Sequence, residues 1–97
     1  MQITEDLLFL RLYIIGCSSS SNELIVKLTT LLDARYKKYE LEVIDILKNP
    51  QQTIADNILA SPTLIKVSPL PEKRIIGNFP FQSLIAELNL SSLENNY

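Results

Sequence analysis

The sequence predicts a single α/β domain built on a mixed, partly parallel sheet. Three observations lead there. Residues 7–15 form a near-continuous apolar run rich in β-formers, the look of a central strand covered on both faces. A helical-period stretch follows and leads into a second β-prone run, which is the pattern of a parallel crossover. Further on, two short runs are joined by only five residues, a length suited to an antiparallel hairpin.

The first run, Leu-Leu-Phe-Leu-Arg-Leu-Tyr-Ile-Ile, ends at Gly16 and a row of serines. Ser20 and Glu23 read as an S-x-x-E capping box at the start of a helix. From there Leu24, Ile25, Leu28, Leu31, Leu32 and Tyr36 recur at helical spacing and mark one buried stripe to about residue 36. The second strand is expected over 41–46. Its apolar positions are Leu41, Val43, Ile44 and Ile46, and its acidic ones are Glu42 and Asp45. Asn49 can cap a short helix with Pro50 at its first position, where a missing N–H costs nothing. Ile54 and Ile58 are its expected inward residues. The exposed face would carry Gln51, Gln52 and Asp56, with no role beyond solvation or an interface.

Ser61-Pro62-Thr63 leads into a strand at 64–67. Residues 68–72 connect it to 73–77, with Lys66, Lys73 and Arg74 alternating outward against Ile65, Val67, Ile75 and Ile76. A last helix from about Pro80 places Phe81, Leu84, Ile85 and Leu88 inward. The order is βαβαββα, that of the thioredoxin fold, in one domain spanning 1–97 with its ordered core at about 7–90. In that fold a cis-proline precedes the third strand, so Pro62 is the structural cis-proline candidate. The tight turn needs only the small cis penalty of an X–Pro bond. In this order the second strand falls at a sheet edge, with the first strand on its other side.

Composition narrows the chemistry. The 97 residues carry nine basic and eleven acidic side chains, a formal charge of −2, and 46% apolar residues. This is a globular composition with no basic stripe for nucleic acid or an anionic membrane. The cluster Arg35, Lys37 and Lys38 suits the end of a helix equally well. No apolar run is long enough to span a bilayer and no signal peptide is recognisable, so the expected location is the cytoplasm. One cysteine cannot form an internal disulfide.

Histidine is absent, which removes the commonest general base and metal ligand. No cofactor or metal is expected. The sharp chemical reading rests on Cys17, which follows the first strand and opens a C-x-x-S pattern like that of monothiol glutaredoxins. A helix N-terminus would favour its thiolate. Against it stand the missing second cysteine and the missing basic and aromatic neighbours. A small residue in a polar loop is the plainer reading.

Three segments carry a family resemblance. Leu10-Arg11-Leu12-Tyr13-Ile14-Ile15-Gly16 is similar to the opening strand of KaiB proteins. The stretch from Val43 through Asp45 and Asn49-Pro50 to Gln51 resembles that family's V-I-D-V-L-K-N-P-Q. The stretch from Ile58 through Ser61-Pro62-Thr63 to Val67, followed by Arg74-Ile75-Ile76-Gly77, resembles I-L-A-T-P-T-L-x-K-V and R-R-I-I-G. The resemblance implies a non-enzymatic adaptor that binds a KaiC-type ATPase ring, together with KaiA-type or sensor-kinase (SasA) partners, in circadian or related regulation. It also implies a metamorphic chain, monomeric when thioredoxin-like and tetrameric in the KaiB-type fold. The contact surface it points to is Glu40, Glu42, Lys48, Asn49, Pro50, Gln51 and Gln52.

Several positions depart from the family pattern. Cys17 to Ser21 replace N-T-P-N-S, Glu23 stands where a basic residue is usual, and Glu42 replaces a lysine. Glu87-Leu88-Asn89 replaces Gly-Leu-Asp, and losing a glycine favours a continuous last helix by about 1 kcal/mol, hence the thioredoxin-like state.

Overall fold

The computed structural model describes residues 8–16, 18–77 and Leu84. Its elements are β1 (Leu8–Ile14), α1 (Ser19–Arg35), β2 (Tyr39–Asp45), α2 (Pro50–Ala55), β3 (Thr63–Ser68) and β4 (Lys73–Ile76). The sheet order is β2-β1-β3-β4. β1 and β2 are parallel, while β1/β3 and β3/β4 are antiparallel. The thioredoxin-like order is therefore present, with β2 and β4 at the two edges.

Period-2 alternation in β1 divides the interior into two layers. Leu8, Leu10, Leu12 and Ile14 face α1 and pack with Leu28, Leu32, Tyr36, Leu64 and Leu84. Leu84, helical and fully buried, is the described residue of the expected last helix; the remainder of 78–90 lies outside the described residues. On the other face Tyr13, Ile44 and Ile65 form a smaller cluster with Ile46, Ile58 and Val67, over which α2 lies.

Local chemistry explains where elements start and stop. α1 begins two residues earlier than the Ser20 capping box implies. Ser18 is its cap, accepting a hydrogen bond from the Ser21 amide at 3.1 Å, and its carbonyl accepts from the Asn22 amide at 2.9 Å. With four consecutive serines, the one that adds the most helix wins. The chain leaves β1 through Gly16 in left-handed backbone (φ 64°), which favours glycine. Asn57 (φ 56°) ends α2 likewise, as the Ile58 amide bonds back to the Thr53 carbonyl at 3.1 Å. The Ser61–Pro62 peptide is cis, as are Ser68–Pro69 and Leu70–Pro71.

Several expectations are corrected, among them Ile76, read as inward but 55% exposed on the edge strand β4. Ile54 is 74% exposed and Thr53 takes the inward place on α2, because a six-residue helix buries little more than one side chain. Ile58 is inward but beyond the helix. Lys66, expected on the solvent side, is 1% exposed, because β3 is a central strand and both of its faces are covered. Asp56 is no solvated bystander, as described next.

Candidate functional site: the β2 edge and the face under α2

Arg11 is the polar residue of an apolar strand, and alternation puts it on the same face as Tyr13. Parallel register sets it opposite Glu42 of β2. Its Nε donates to Glu42 Oε1 at 2.9 Å and its Nη1 to Asp56 Oδ2 at 3.4 Å, while the guanidinium lies 5.2 Å from the Phe9 ring centre. The buried Tyr13 hydroxyl donates to Asp56 Oδ2 and lies 3.4 Å from the Gln52 carbonyl. Arg74 of β4 donates to the Asp56 carbonyl at 3.0 Å and also pairs with Glu72 at 3.4 Å. Asp56 thus joins β1, β4 and the end of α2, with Arg11 linking it to β2.

Each partner shifts its neighbour. Hydrogen bonding to Glu42 holds the Arg11 guanidinium above its ordinary pKa. Burial, then the hydrogen bond to Asp56, pushes the Tyr13 phenol well above the usual range. On the other face of β2, burial and a 2.5 Å hydrogen bond to Asp33 raise Tyr39 to about 12. Burial, then the neighbouring Lys73, lowers Lys66.

The surface expected from the sequence falls in two parts. Glu40 and Glu42 are exposed on the α2 side of the β2 edge, and Glu42 already has Arg11 as a partner. Lys48, Asn49, Pro50 and Gln51 are exposed in the turn and first residues of α2, while Gln52 is half-buried. Asn49 precedes α2 as expected, but its side chain makes no capping bond. It donates instead to the Asp45 carbonyl at 3.0 Å. Asp45 Oδ1 accepts from the Gly16 and Leu47 amides, both at 3.0 Å, and so ties the turn to the end of β1. Sequence reasoning passed over Arg11, Tyr13 and Asp56 as a group. The available signal was a charge inside an apolar strand, which must find a partner on its own face.

A cleft of about 500 Å³ opens where α1 begins, lined by Ser18, Ser20, Ser21, Glu23, Lys27 and Pro62 among others. Cys17, the residue of the redox reading, lies outside the described residues. Among the described residues no group of three or more histidine, cysteine or acidic side chains is placed to hold a metal, and no helix is long and apolar enough to cross a membrane.

Comparison with known proteins locates this architecture. The KaiB domain family model matches residues 11–90. The circadian clock oscillator protein KaiB of Synechococcus elongatus is 47% identical over 70 residues, which is 71% of this chain and 69% of that one. The protein of the same name from Thermostichus vulcanus is also 47% identical over 70 residues, covering 71% and 65%. Among solved structures, the N-terminal domain of Synechococcus elongatus SasA superposes with a TM-score of 0.72 at 20% identity, covering 92% of this chain and 83% of that one. Thioredoxin 1 of Thermosipho africanus gives 0.67 at 22% identity, covering 84% and 90%. At these identities the two structural likenesses speak for the fold.

Proposed function

This chain belongs to the KaiB family, and from that premise we propose that it is a non-enzymatic adaptor that binds a KaiC-type ATPase ring and modulates its signalling. Curated relatives carry the name of a circadian clock oscillator protein, which supports a role in clock or related regulation. KaiA-type or sensor-kinase proteins are the further partners of this reading, and the cytoplasm its compartment.

The observation that carries the proposal is the edge position of β2, which no other strand among the described residues covers. An edge strand offers unpaired N–H and C=O groups to a partner. Beside it α2 exposes Asn49, Pro50 and Gln51, residues lying in the stretch that matches the family. Glu40 and Glu42 make this edge acidic, so a partner must meet it with positive or neutral groups, since like charges across an interface cost several kcal/mol.

The test is a titration of isotope-labelled chain with a KaiC-type ring, read by amide shifts. Perturbation is expected along residues 40–52, and Cys17→Ser should leave it unchanged. No perturbation anywhere in 40–58 with ring, KaiA-type or kinase partners removes the adaptor reading. Loss of binding in Cys17→Ser, together with glutathione-dependent reductase activity of the wild type, would favour the thiol instead.

A further inference from the structure

Among the described residues the sheet has two open edges, and most of their facing side chains complement each other. The pairings Arg11↔Glu42, Arg11↔Ile65 and Ile65↔Arg74 place Glu42, Arg11, Ile65 and Arg74 in one row across all four strands. The next row runs Val43, Leu12, Leu64, Ile75, and the one after it Ile44, Tyr13, Thr63, Ile76. Three of the four complete rows therefore start on β2 and end on β4 with a matching residue, acid with base and then aliphatic with aliphatic twice, while the fourth sets Leu41 against Lys73. Glu42, Val43, Arg74 and Ile76 are all exposed at these edges. β2 and β4 also point the same way, because β2 is parallel to β1 and two antiparallel steps separate β1 from β4.

Backbone phase agrees with the rows. The Ile46 amide bonds inward to the Ile14 carbonyl and the Gly77 amide inward to the Pro62 carbonyl, both at 2.8 Å. Strand alternation then turns the amides of Leu41, Val43 and Asp45 outward on one edge, and those of Arg74 and Ile76 outward on the other. In a parallel ladder an outward residue sits between two outward residues of its neighbour. Arg74 would bond the Leu41 carbonyl and the Val43 amide, which sets it opposite Glu42, the register the rows already give.

We infer that a second copy of this chain docks its β4 edge along the β2 edge of the first, extending the sheet in parallel. Arg74 lies opposite Glu42, Ile75 opposite Val43, and Ile76 opposite Ile44. The contact is heterologous, so each pair keeps one open edge of each kind and further copies add in line. The four residues of β4 make each contact small and salt-sensitive.

Sedimentation velocity of the chain alone, from micromolar to millimolar protein, tests this. The weight-average mass should climb above the 11.0 kDa monomer with concentration and fall back with salt. Glu42→Lys and Arg74→Glu should each weaken association at least about tenfold, and the two variants mixed should regain it. Arg74→Glu also removes the donor to the Asp56 and Asn57 carbonyls just after α2. Ile76→Lys, at an exposed position, therefore serves as a second edge block that leaves those bonds in place. Amide broadening should fall on residues 41–45 and 74–76. A monomer at every concentration overturns the inference, as does association unaffected by these variants or broadening confined to other residues. No partner protein enters the measurement, so its failure leaves the adaptor reading standing, and the reverse holds too.

Discussion

Replacing Glu42 by lysine separates a structural role at the β2 edge from a binding one. In the fold Glu42 Oε1 sits 2.9 Å from Arg11 Nε, with the two side chains 44% and 26% exposed. A pair this wet is worth about 0.2–1 kcal/mol, so Glu42→Gln should cost roughly half a kcal/mol. Lysine adds repulsion from Arg11, about 1 kcal/mol for two charges near 4 Å even in bulk water. Arg11 keeps its contact with Asp56 at 3.4 Å and stays in place to feel that repulsion. The expected total for Glu42→Lys is about 1–1.5 kcal/mol, a fall in Tm of roughly 5–10 °C for a domain of this size. Thermal and urea unfolding of wild type, Glu42→Gln and Glu42→Lys at low and high salt measure it, and high salt should shrink the gap. In an Arg11→Met background the lysine penalty should largely vanish. A Glu42→Lys protein as stable as wild type at low salt refutes the pairing. Any change in its partner affinity could then be read as contact alone.

Three further outcomes follow from the same geometry. Tyr13→Phe should cost about 1 kcal/mol and Asp56→Ala about 2–3 kcal/mol in urea unfolding, because the second leaves the buried Tyr13 hydroxyl without its carboxylate acceptor and leaves Arg11 only Glu42 as a partner; equal costs would argue against Asp56 as the junction. Tyr39 is raised from 10.0 to about 12, so its neutral form is favoured by folding. Its contribution to stability is complete below pH about 10 and is lost as pH rises through about 12; tyrosinate absorbance that resolves no late-titrating phenol, or no difference between wild type and Tyr39→Phe over that window, would contradict it. Lys66 is lowered by burial and by Lys73, so folding disfavours its charge at neutral pH, and that penalty fades as pH rises toward 10.5 and is gone above it. Lys66→Met should therefore stabilise the chain by up to about 1 kcal/mol, and a destabilised variant would show that the ammonium has a partner.

The amino-acid sequence by itself determined the order of elements, the central place of β1, the α1 stripe and the edge position of β2. Each of these follows from periodicity or from the rules of chain connection, which are local or topological. Which face a residue meets in a short element was beyond it. In α2, six residues hold too few turns for a period to register, so Thr53 rather than Ile54 turned out buried. Lys66 sits in an alternating strand that reads as half-exposed, and only the strand order shows that both of its faces are covered. The Arg11–Glu42–Asp56–Tyr13 group spans residues 11 to 56 and depends on parallel register, which no local spacing encodes. The matching of the two sheet edges lies further still from sequence. A row such as Glu42, Arg11, Ile65 and Arg74 exists only once four strands have been laid side by side.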